Sequence, residues 1–135
     1  MFEKLTVKSR EKVSFVSLTS KLNKFVKKSE VENGLLVVNV PHTTAAVTIN
    51  EGADPDVRKD IIFQLNELIP FDNNYDHLEG NSAAHIKSSI IGCSEMIIIR
   101  NGKLLLGRWQ DIYFCEFDGP RNRNVNLQII NTNNS

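Results

Sequence analysis

Cysteine, proline, excess charge and long apolar runs are all scarce in this 135-residue chain, and each scarcity removes a class of protein. The two cysteines, Cys93 and Cys115, are too few and too far apart for a disulfide framework. They form no CxxC pair and read as reduced, buried thiols. Sixteen basic side chains balance sixteen acidic ones, so the electrostatic footprint of most nucleic-acid and polybasic membrane binders is missing. No apolar run approaches the roughly 18 residues of a membrane span, and no charged, apolar leader opens the sequence. The expectation is a cytosolic (cytoplasmic) protein without nucleic-acid or membrane partners. There is no glycine-rich phosphate loop, GxSxG elbow, HExxH pair or nucleophilic-cysteine signature, so cofactor-driven redox chemistry has no support.

What is present is 41% hydrophobic residues in short periodic segments, enough for one domain with a core. Residues 4–17 show two patches of alternation, Leu5–Val7 and Val13–Phe15, which predict a hairpin. From about Ser17 the period lengthens. Leu18, Leu22, Phe25 and Val26 fit one helical face, with Lys21, Lys24, Lys27 and Lys28 outside it, until Asn33-Gly34. Residues 35–40 and 45–50 are branched and strand-like, joined tightly through Pro41-His42-Thr43-Thr44. Asp54-Pro55 starts a second helix by cap and first-turn proline, with Val57, Ile61, Ile62, Leu65, Leu68 and Ile69 as its buried stripe and Pro70 as its stop.

A third helix follows His77, with Asn81 or Ser82 as cap. Ile86, Ile90 and Ile91 are its apolar stripe, and His85, Ser88 and Ser89 lie on a small polar face. Met96–Ile99, Asn101-Gly102 and Leu104–Leu106 predict a hairpin. Strands are expected from Asp111 to Phe117 and from Val125 to Ile130, before a polar tail over 131–135. Grouped hairpins with helices between them indicate a single compact α+β domain, 1–135, with a mixed or antiparallel sheet and three helices.

All three histidines lie in polar junctions. His42 precedes Thr43 and Thr44, with Glu51 and Asp54 after the strand. His77 is followed by Glu79, Asn81 and His85. Three imidazoles and a water would make a catalytic-type zinc site, and a helix start near His85 would favour an anion and suit a neutral imidazole. The plainer alternative is a loop histidine at 77 and a hydrogen-bonded helix histidine at 85. A second cluster spans 107–123. Arg121 and Arg123 are a pair of guanidinium forks suited to phosphate, or simply surface arginines. Trp109, beside Gln110, could stack on a planar ring or fill the core. Glu116 projects from an apolar face, so it is either exposed at an edge or held by a partner.

The segments VPHTTAAVTINEGADPDV, HLEGNSAAHIKSSIIG and LGRWQDIYFCEFDGPRNR, in that order, resemble the family of secondary thiamine-phosphate synthase enzymes over nearly the whole chain. The resemblance implies an α+β homotrimer with a histidine-lined pocket. Its expected reaction is transfer of a pyrimidine-methyl group from its diphosphate to a thiazole phosphate, a small phosphorylated heterocyclic substrate, with release of pyrophosphate. It implies a divalent metal, zinc, or magnesium with a diphosphate substrate, held by His42, His77 and His85. Glu51, His85 and Glu116 would be catalytic. Thr43, Thr44, Asn81, Ser82, Trp109, Gln110 and Arg121 would bind substrate and phosphate. The alternatives are a metal-dependent hydrolase with Glu51 or Glu116 as base, and a trimeric metal- or ligand-binding module without turnover.

Overall fold

The computed structural model describes residues 1–132. Eight strands and three helices follow in the order β1 (Phe2–Lys8), β2 (Ser14–Ser17), α1 (Thr19–Ser29), β3 (Gly34–Asn39), β4 (Ala45–Glu51), α2 (Pro55–Leu68), α3 (Ser82–Ile91), β5 (Ser94–Arg100), β6 (Lys103–Leu104), β7 (Gln110–Glu116) and β8 (Asn122–Asn131). The α+β class and the three helices are as expected. The strands divide into two sheets, β1-β8-β3-β5-β6 and β2-β7-β4, and every pairing is antiparallel. Two predicted neighbours are therefore separated. β1 and β2 do not form a hairpin with each other, and β3 and β4 lie in different sheets, because alternation reports a strand's faces and not its partner. Of the predicted tail, Asn131 ends β8, and 133–135 lie outside the described residues.

The two sheets face each other across the main core. Leu36, Val38, Ile97, Ile99, Val125, Leu127 and Ile129 from the larger sheet meet Ala45, Val47, Ile112 and Phe114 from the smaller, with Leu22, Phe25 and Val26 of α1 closing one side. Full burial of a Leu or Phe side chain contributes about 1.5–3 kcal/mol. The other face of the small sheet carries Phe15, Ala46, Tyr113, Cys115 and Phe117, and α2 and α3 cover it. Burial pushes the Cys115 thiol up, well above the ordinary thiol range. The expectation of buried thiols is met at Cys115 and corrected at Cys93, which is exposed. β7 thus contributes to both cores, its alternate residues pointing opposite ways as the period-two reading requires.

Helix termini follow local chemistry. Asp54 caps α2 by accepting from the Asp56 amide at 2.9 Å, with Pro55 in the first turn. α1 stops earlier than its glycine signal, at Glu30, which takes a left-handed conformation with φ 58°. Asn101 and Gly102, with φ 52° and 73°, form the turn of the β5–β6 hairpin. Two stripes depart from expectation. α2 has no fully buried residue: Ile61, Ile62 and Leu65 pack against the second core, while Leu68 is exposed. α3 turns its small face inward, burying Ala83, Ala84, Lys87 and Ser88, and leaves Ile86 and Ile90 outside. Small side chains let the helix lie close to β4, and that proximity outweighs the larger apolar area of the isoleucines.

Among the described residues nothing covers the outer face of the large sheet. Ile130, Leu35 and Ile98 form one row across β8, β3 and β5, and Gln128, Val37 and Met96 the next. Met96, Ile98 and Ile130 are roughly half exposed or more. No helix among the described residues is long and apolar enough to cross a membrane.

Candidate functional site

A cleft of about 910 Å³ opens where the start of β4, the end of β7, the start of β8 and the start of α3 meet. At its floor lies a buried ion pair. Glu116, fully buried, accepts Arg123 Nε at 2.9 Å and Nη2 at 2.5 Å, Ser9 Oγ at 2.7 Å and the Asp118 amide at 3.0 Å. Burial alone pushes this carboxyl up. The hydrogen bonds from Arg123, Ser9 and Asp118, with the charge of Arg123, outweigh it and hold the group below the usual carboxylate range. Arg123 Nη2 also reaches Thr44 Oγ1 at 2.8 Å, so the arginine joins β8 to the start of β4. The partner that Glu116 needed is therefore Arg123, and the carboxylate is fully engaged, with no lone pair left for a role as base or ligand.

Above this floor Asp118 holds two cleft residues. Its Oδ2 accepts Asn81 Nδ2 at 2.9 Å and Arg121 Nη2 at 3.1 Å, and its backbone carbonyl accepts Arg121 Nε at 2.9 Å. Asn81 therefore does not cap α3 with its side chain, and the first amides of that helix stay uncapped. Asn81 Oδ1 is buried without a partner. The turn after Asp118 lies against residues 9–12. A Cβ at Gly119 would sit 2.2 Å from the Glu11 carbonyl oxygen, and the Gly119 amide donates to the Lys12 carbonyl at 2.9 Å. Glycine permits that approach and brings Lys12 to the cleft wall.

His42 and His85 both line this cleft. His42 Nε2 accepts the Asn124 amide at 3.0 Å, so the ring proton sits on Nδ1. Burial, and then the charge of Arg123, lower the His42 pKa and keep the ring neutral. His77 lies beyond His85, the two rings edge to face at 5.5 Å, and its Nε2 is 3.7 Å from exposed Glu79. The cleft gathers His42, Thr43, Thr44, Asn81, His85 and Arg121. It does not include Glu51, Trp109 or Gln110. Glu51 pairs with Gln110 at the far end of β4, six strand positions from Ala45, or roughly 20 Å. There Trp109, exposed, lies under Arg108 and lines a separate cleft of about 710 Å³, while Glu51 caps the Ala53 amide. Lys12, Cys93 and Asp118 are cleft residues that sequence reasoning missed. The Asp118-Gly119-Pro120 turn was the available signal for the last.

The expected three-histidine zinc centre does not fit this geometry. No three His, Cys, Asp or Glu side chains among the described residues are grouped so as to hold a metal ion. His42, moreover, spends its only free lone pair on Asn124.

Comparison with known proteins decides the lineage. The family model described as "UPF0047 protein YjbQ-like" matches residues 3–132. The chain belongs to the UPF0047 family. It is 52% identical over 130 residues to UPF0047 protein MJ1081 of Methanocaldococcus jannaschii, covering 96% of this chain and 94% of that one. It is 43% identical to UPF0047 protein YugU of Bacillus subtilis, covering 96% and 99%. A solved UPF0047 structure from Clostridium acetobutylicum superposes with TM-score 0.93 at 51% identity, covering 95% and 99%. A Sulfolobus solfataricus structure, described as a YbjQ-like protein of unknown function, gives 0.94 at 29%, covering 98% and 97%. These findings correct the resemblance drawn from the three motifs. The relatives carry UPF0047 names, none of which states a thiamine-phosphate synthase activity, so the transferase assignment, its pyrimidine-methyl transfer and its zinc have no support. The hydrolase and the turnover-free module fare no better.

Proposed function

We propose that the histidine cleft of this UPF0047 protein binds a small phosphorylated molecule. The observation that carries the reading is a set of hydrogen-bond donors around one cavity that are unspent among the described residues: the His42 Nδ1–H, the remaining Arg121 guanidinium edge and the uncapped start of α3, with Lys12, whose ammonium lies over the Phe71 ring, adding positive charge at the wall. A phosphoryl group supplies several acceptor oxygens and negative charge to match them. Recognition of a planar ring by Trp109 is not part of this site, since the indole is at the opposite end of the small sheet.

Thermal melting with inorganic phosphate and pyrophosphate tests this. An anion at about 100 times its Kd stabilises the fold by about 2.7 kcal/mol, or roughly 10 °C. Arg121→Ala should weaken binding about 10- to 100-fold, the loss of one charge-assisted contact, and Trp109→Ala should leave it unchanged. Absence of any anion-dependent shift, or equal losses in the two variants, would sink the reading.

The uncovered rows on the large sheet support the closed homotrimer expected from the sequence, with copies of this chain meeting on Leu35, Met96, Ile98 and Ile130. The surplus apolar surface is there and not on Ile97, Ile99 or 112–117, which the chain buries itself. Light scattering should give three times the 15.3 kDa chain mass, and Ile98→Lys should return it to one. A wild-type mass of 15.3 kDa at micromolar concentration refutes the assembly.

A further inference from the structure

The second cleft, of about 710 Å³, lies at the other end of the small sheet, where the turn leading into β7 meets α1. Trp109, the chain's single tryptophan, lines it and keeps 55% of its surface exposed. The turn that carries the indole is braced. Gln110 Oε1 accepts the Gly107 amide at 2.7 Å, the Gln110 amide donates to the Gly107 carbonyl at 3.1 Å, and the Gly52 amide donates to the Trp109 carbonyl at 2.8 Å. A large aromatic ring held in solvent by a fixed turn forgoes burial and is already ordered for a planar partner. The Arg108 guanidinium, 4.7 Å from the ring centroid, adds a cation beside it.

α1 lines the same cleft through Ser20, Lys24 and Lys27, whose spacing of four and three residues puts them on one helical face. From Thr19 to Ser29 this helix has four lysines and no acidic side chain, so the overall balance of charge conceals a local positive excess. Lys24, Lys27 and Arg108 form no ion pair among the described residues. Asp111, the acidic residue of the lining, is engaged through Oδ1, which accepts the Ser17 hydroxyl at 2.8 Å and the Thr19 hydroxyl. We propose that this cleft is a nucleotide site, separate from the histidine cleft, in which a base stacks on Trp109 and a phosphate meets Lys24 and Lys27. Stacking on an aromatic side chain accepts any base, and exposed lysines supply charge without fixed geometry, so neither half of the ligand suffices alone. A free nucleotide and a single strand present the same chemistry.

Trp109 emission reads the site directly, since no other tryptophan contributes. Titration of the full chain with adenosine monophosphate should quench it, while adenosine and ribose 5-phosphate, each lacking one half of the ligand, should bind about tenfold more weakly or worse. Oligothymidylate separates the two sources: quenching tighter than the mononucleotide's and weakened by salt marks a strand, and weaker or equal quenching marks a free nucleotide. The double variant Lys24→Gln, Lys27→Gln should lose about tenfold in affinity, whereas Lys59→Gln, an exposed lysine of α2 outside the cleft, should lose nothing. By calorimetry, Trp109→Leu should bind about 10- to 100-fold more weakly and Trp109→Phe, which keeps a ring, should recover most of the loss. The lysine variants change a solvated helix face, so they decide the matter if Trp109→Leu melts early. No quenching by either nucleotide probe at millimolar concentration, ribose 5-phosphate binding as tightly as the mononucleotide, or a double lysine variant with wild-type affinity overturns the proposal.

Discussion

Replacing Glu116 by alanine is expected to lower stability by about 3–5 kcal/mol, because it strands the Arg123 guanidinium in the interior without its counter-charge. Arg123 is only 4% exposed and would keep one side-chain partner, Thr44. Replacing both members by methionine removes the stranded charge and should recover most of the loss. Urea denaturation of the three proteins checks this, and a loss below about 1 kcal/mol in Glu116→Ala would contradict it. The same pair sets an acid limb. The folded carboxyl titrates below its unfolded value of about 4.3, so the unfolded chain binds the extra proton between the two. The stabilisation is present above about pH 4.3 and is lost as pH falls through the depressed pKa. Glu116→Ala should lack that part of the acid transition.

Lys87→Met should have the opposite sign, raising stability at pH 7 by about 1–3 kcal/mol, since a buried cation gives way to an apolar chain of similar length. Lys87 is fully buried and forms no ion pair among the described residues. Its Nζ donates to Asn66 and lies 4.2 Å from the centroid of Phe71, whose ring also carries Lys12 at 4.1 Å. Burial first, and the Lys12 charge second, lower its pKa to about 8. Unfolded, the lysine titrates near 10.4, so between these values the unfolded chain holds more protons. Wild-type stability should therefore rise from about pH 8 to about pH 10.4, by up to about 3 kcal/mol. The methionine variant should not show that rise, and the gap between the two should close. Melts from pH 6 to 10.5 decide it, and parallel curves would mean that Lys87 keeps its proton throughout.

Element types were legible because their causes are local. Asp54-Pro55, Asn101-Gly102 and the spacing of Leu18, Leu22, Phe25 and Val26 act over a few residues, and each formed the expected element. Partner choice was not legible. Residues 9–12 look like a hairpin turn but belong to the connection from one sheet to the other, and nothing in the alternation distinguishes the two routes. The face of α3 was misread for a related reason. Hydrophobicity ranks Ile86 and Ile90 above Ala83 and Ala84, whereas the buried position is chosen by how near the helix can come to β4. In the site, His42, His85, Asn81 and Arg121 were recognisable from their polar junctions. Grouping Glu51, Trp109 and Gln110 with them ignored the length of a strand. The tautomer of His42 depends on Asn124, which is 82 positions away in the chain.

The close seating of α3 on the small sheet also makes Ala83 and Ala84 a gauge for the cleft. Asn81 and His85 ride on the helix, while His42 and Thr44 lie in the connection between β3 and β4 and Arg123 on β8. Ala84 packs in the second core with Ala46 of β4, and neither it nor the equally buried Ala83 lines the cavity. A serine or valine in either place would act as a shim, widening the mouth without altering any residue that lines it. Calibration of the opening is thus held by side chains that an inspection of the lining alone would pass over.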